Sequence, residues 1–137
     1  MRQLLPVVAA AASAVAALLH GWVTPEHVFS QPAAGLFFLV VTVAQAVYAA
    51  MVLDRPLSPR LLVLGITANL ELIVLLVWAH TLGLPGGALA DWHETGLDEH
   101  AERFPPSAVA TLLAEGVLVV ALGGLLRARR AVARLSV

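Results

Sequence analysis

The chain has 137 residues, 60% hydrophobic and only 12% charged, against roughly a quarter charged in soluble domains, and it reads as a single membrane domain. It has no cysteine, which excludes disulfides, thiolate metal sites, iron–sulfur clusters and cysteine nucleophiles and leaves histidine, carboxylate or carbonyl as metal ligands. The net charge is −1, and no basic patch with interleaved aromatics invites nucleic acid.

The first predicted span covers about residues 4–22 and is rich in alanine. Ala9, Ser13 and Ala17 recur at four-residue spacing, the small-xxx-small stripe that lets helix backbones approach closely in a membrane. A secretory signal peptide competes with this reading, because Arg2, an apolar run and the cluster Ala12, Ser13, Ala14 fit a cleavage site. The apolar run continues through Val15 to Leu19, which favours a span. His20 to Pro32 then reads as a connector, with two prolines, Glu26, His27 and the interfacial residue Trp22.

The second span is predicted over about 33–53 and contains Gln45 and Tyr48. A proline-broken turn from Asp54 to Arg60 follows, long enough to join antiparallel neighbours. The third span, about 61–84, carries Asn69 and Glu71 near its middle and ends at Pro85-Gly86-Gly87. An ionisable residue at the centre of a spanning helix costs roughly 2.5–3.5 kcal/mol on insertion scales, so Glu71 is expected to face protein, water or a ligand. At helical spacing, Asn69 and His80 share one stripe while Glu71 and Trp78 share another, roughly opposite.

A long loop follows. Over about 88–104 a helical projection puts Leu89, Trp92, Leu97 and Phe104 on one side and Asp91, Glu94, Asp98 and Glu102 on the other. That predicts a short helix lying in the membrane interface, with His93 and His100 on its apolar side. The fourth span is predicted over about 107–126, with Ser107 as N-cap and with Glu115, Gly116, Gly123 and Gly124 inside it, followed by a basic tail. The expected fold is therefore an all-α membrane protein, a four-transmembrane-helix bundle with an interfacial helix in its second outer loop.

All eight basic residues are arginine. With four spans, Arg2, Arg55, Arg60, Arg127, Arg129, Arg130 and Arg134 fall on one side and only Arg103 on the other. The positive-inside rule then makes both termini cytoplasmic in a multi-pass cell-membrane protein. This orientation places His20, His27, His80, His93 and His100 at the outer face.

Those five histidines are candidate ligands for copper, zinc, nickel or iron, or for haem. Interfacial histidines that bond headgroups and water are the plainer explanation. A second constellation, Gln45, Asn69, Glu71 and Glu115, forms an expected intramembrane polar core. Interhelical hydrogen bonds explain it structurally, and a proton or cation path is the functional alternative. Without a nucleophile–base pair or a nucleotide-binding loop, the chain does not read as a conventional enzyme.

His27, Gly35-Leu36-Phe37-Phe38 and Gln45, then Asn69, Trp78, Thr81 and Gly83-Leu84-Pro85-Gly86, then His93-Glu94, Gly96, Asp98 and Glu115, in this order, resemble a group of small uncharacterised four-helix membrane proteins of bacteria. Where that group commonly carries arginine ahead of its Thr-x-Gly-Leu-Pro run, this chain has His80. The resemblance implies a bacterial cytoplasmic membrane and no particular activity.

Three functional expectations follow. The first is metal or haem binding at a histidine-rich outer mouth above the polar core. The second is an accessory or assembly subunit, joined to a membrane-complex partner or to copies of itself in the bilayer. The third is a proton-coupled carrier oligomer.

Overall fold

The computed structural model describes residues 4–81 and 105–135, and over these the chain is all-helical. The helices are α1 (Leu4–Ser30), α2 (Pro32–Asp54), α3 (Pro59–Thr81) and α4 (Pro106–Leu135). Each is long and apolar enough to cross a membrane. The predicted interfacial segment over 88–104 lies outside the described residues, as does the end of the predicted third span.

The predicted break after span one is absent: α1 runs 27 residues, with Pro25 inside it. Proline lacks the N–H that would bond back one turn, and side chains hold the backbone on both sides of that gap. The Thr24 hydroxyl donates to the His20 carbonyl at 2.8 Å, and the His27 imidazole donates from Nδ1 to the Val23 carbonyl at 2.7 Å. The connector shrinks to Gln31, followed by Pro32 at the start of α2, where a missing N–H has no helical partner to lose.

So short a joint forces α1 and α2 into close contact. A Cβ on Gly35 would lie 2.5 Å from the Val28 Cα, a backbone atom that no rotamer change can move. Gly35→Ala is expected to destabilise the bundle by about 1–3 kcal/mol. Thermal unfolding in detergent checks it, and an unchanged midpoint would contradict the close crossing.

Small residues make the rest of this seam. Ala9, Ser13 and Ala17, the predicted stripe, are all buried, as is Ala16. Contacts pair Ser13 with Gln45, His20 with Phe38 and Gly21 with Thr42, so α1 and α2 are antiparallel. α4 lies antiparallel along α1 through His20–Glu115 and Leu5–Gly124. α3 packs on α4, where Leu62, Leu118, Ala121 and Leu122 form the apolar core with Ala9, Ala10 and Val52. The ring closes between α2 and α3. There the Tyr48 hydroxyl donates to the Leu61 carbonyl at 3.0 Å and lies directly over Gly65, the space a side chain would fill.

Helix boundaries follow local chemistry. α2 matches its predicted span to within a residue at each end. α3 starts one residue after Ser58, whose hydroxyl accepts from the Leu61 N–H at 3.3 Å, the N-cap bond. Ser107 is not the cap of α4. The helix begins at Pro106 and places Ser107 inside its first turn, where the Ser107 carbonyl accepts from Thr111. α4 also outlasts its predicted span, running through the basic tail to Leu135.

Candidate functional site

Two polar sites result, one inside the bundle and one outside it. The inner site begins on α1, where His20, predicted to close the first span, sits seventeen residues into the helix and is 6% exposed. At about 1.5 Å per residue this is roughly 15 Å short of the end of α1, so His20 belongs to the bundle interior rather than to an outer mouth. Its Nε2 shares a hydrogen bond with Glu115 Oε1 at 3.1 Å, and Glu115 is completely buried. Phe38 of α2 stacks on the His20 ring with centroids 5.7 Å apart, and forms a T-shaped pair with His27 at 4.8 Å.

The inner site continues toward α2 and α3. Ser13 donates to the Gln45 carbonyl at 2.8 Å, Gln45 Nε2 donates to Asn69 Oδ1 at 3.2 Å, and Asn69 Nδ2 donates to the Gly65 carbonyl at 2.8 Å. Polar contacts thus tie α1 to α2, α2 to α3 and α1 to α4. Such interhelical bonds contribute about 0.6 kcal/mol each in a membrane. Among the described residues, Glu115 Oε2 and Gln45 Oε1 are buried with no hydrogen-bond partner, so the Glu115 carboxyl group depends on His20 for its one partner.

Of the predicted polar core, Gln45, Asn69 and Glu115 are inside and Glu71 is not. Glu71 is exposed on the outer surface of α3, roughly 15–18 Å from either end of the helix. Leu64, Thr67, Ala68, Val74, Leu75 and Trp78 continue the same exposed stripe at the three- and four-residue spacing of one helix face. The opposite stripe, Leu62, Gly65 and Asn69, is all that α3 buries, while α2 buries six residues and α4 seven. In the middle turns of the four helices, Glu71 is the exposed charge among the described residues.

His27 and His80 lie in the last turns of α1 and α3. His27 is buried against Phe38, and the half-buried His80 donates from Nδ1 to the Leu76 carbonyl at 2.9 Å. His93 and His100 lie outside the described residues. No three histidine or acidic side chains among the described residues come together as a metal site. The Nε2 of His20 is taken up by Glu115, which leaves Nδ1 as its remaining ring nitrogen.

Sequence reasoning missed Ser13 and His20 as core polar residues. The signal was there: Ser13, Ala16, Ala17, His20, Thr24 and His27 extend the small-residue stripe at helical spacing, and all are buried. Pro25 concealed that continuity. In comparisons with protein-family models, curated proteins and solved structures, the chain matches none.

Proposed function

We propose that the chain is an accessory subunit of a larger assembly in a bacterial cytoplasmic membrane, with both termini cytoplasmic and with the exposed face of α3 as its docking element. The observation that carries this reading is Glu71, exposed at the middle of a membrane-length helix. A carboxylate there does not face lipid without cost. A partner helix that offers a hydrogen-bond donor at mid-bilayer removes the cost. Thr67 and Ala68 on the same stripe allow that helix to approach closely.

The partner is a different chain. Among the described residues, the exposed mid-helix surface of this protein offers no cation to set against Glu71, and the Thr67 hydroxyl one turn away already donates to the Val63 carbonyl. The six arginines within the described residues gather where α2 ends, α3 begins and α4 ends, in keeping with a cytoplasmic placement of that end. No catalytic role is part of the proposal. Purification in native lipid discs tests it: the expected result is a second polypeptide at fixed stoichiometry that is lost with Glu71→Leu. A chain that is monomeric, with or without that substitution, would overturn the reading.

A further inference from the structure

At the arginine-rich end of the bundle, a pocket of about 260 Å³ opens between the ends of all four helices. Val52, Leu62 and Leu125 give it an apolar floor, and Arg55, Arg129 and Asp54 give it a polar rim. Arg129 is half-buried while Arg127 and Arg130 beside it are exposed, so one arginine of the α4 tail is committed to the pocket. Neither Arg55 nor Arg129 is ion-paired among the described residues, with Asp54 or with anything else.

We propose that this pocket binds the headgroup of an anionic phospholipid, with the phosphodiester between Arg55 and Arg129 and the first acyl carbons against the apolar floor. Guanidinium groups bind phosphate oxygens through paired, charge-assisted hydrogen bonds. Basic pockets between spanning helices at the membrane surface suit anionic headgroups. Two guanidiniums and one carboxylate leave a single net positive charge, which matches the one negative charge of a phosphodiester. A free phosphate has no use for the apolar floor. The pocket is smaller than the roughly 300–1,000 Å³ typical of sites that enclose a drug-sized molecule, so the lipid tails run along the outside of the bundle.

Native mass spectrometry of the full chain in mild detergent tests this, with phosphatidylglycerol and phosphatidylcholine offered at equal concentration. The expected result is one phosphatidylglycerol retained in preference to phosphatidylcholine, with Arg55→Gln and Arg129→Gln each weakening retention about fivefold. The neighbouring changes Arg127→Gln and Arg130→Gln are expected to leave it unchanged, and excess inorganic phosphate is expected not to displace it. Equal retention of phosphatidylcholine would overturn the proposal, as would equal losses in all four variants or displacement by inorganic phosphate.

Discussion

Replacing His20 by alanine is expected to destabilise the bundle by about 1–3 kcal/mol, the cost of leaving a buried polar group without its hydrogen-bond partner. Glu115 is completely buried, one of its oxygens has no partner, and the other is held only by the His20 imidazole at 3.1 Å. Without His20 the buried carboxyl group has no partner among the described residues. The imidazole also supports the α1–α2 seam by stacking on Phe38, so its loss loosens two helix contacts together.

The size of the effect belongs to the carboxyl group left buried without a partner and not to the bond itself, and this distinction is testable. Removing both partners, as His20→Ala with Glu115→Leu, is expected to restore part of the stability lost in His20→Ala alone. The coupling between the two positions should fall in the range of about 0.5–3 kcal/mol seen for contacting residues. Unfolding in detergent of the four variants of this cycle gives the coupling directly. Additive losses would mean that the pair is not formed.

The second large effect concerns Glu71, and there the expected sign depends on what is measured. In the isolated third span, Glu71→Leu removes a charge from the helix centre and should favour membrane insertion by about 3 kcal/mol. In the assembled protein the same change removes the group that the partner recognises. Better insertion together with a lost partner is the combination expected of a docking residue. A carboxylate that only bonded within its own bundle would lose stability on substitution, as Glu115 is expected to. The contrast between the two glutamates follows from burial: Glu115 is enclosed by its own chain, and Glu71 is not.

Much of the architecture was legible in the sequence because membrane length, small-residue spacing and proline turns act locally. α2 appears almost residue for residue, and the stripe of Ala9, Ser13 and Ala17 is buried as its spacing implies. The opposition of Asn69 and Glu71 on α3 was equally visible, and it separates a buried from an exposed side chain. Pro25 was misread because proline normally ends a helix. Here hydroxyl and imidazole bonds to the carbonyls of His20 and Val23 carry α1 past it.

That single misreading put His20 at the end of the first span rather than inside α1 and concealed its partner. No local pattern joins residues 95 positions apart, so the His20–Glu115 pair emerges only when α1 and α4 are laid side by side. Among the described residues Glu71 lacks its expected company for a related reason. Helical spacing showed that Glu71 and Asn69 face different ways, but it did not show which of the two faces the bundle would use.

The central claim, that a different polypeptide covers the Glu71 face of α3, is tested most directly by photo-cross-linking in the native membrane. A photoreactive residue placed at Ala68 or Leu75 flanks Glu71 on its own stripe, and one at Val43 or Val47 sits on the exposed surface of α2. The account predicts one discrete adduct with another polypeptide from positions 68 and 75, absent from 43 and 47 and abolished by Glu71→Leu. Adducts with lipid alone, with a second copy of this chain alone, or with equal yield from all four positions would contradict it.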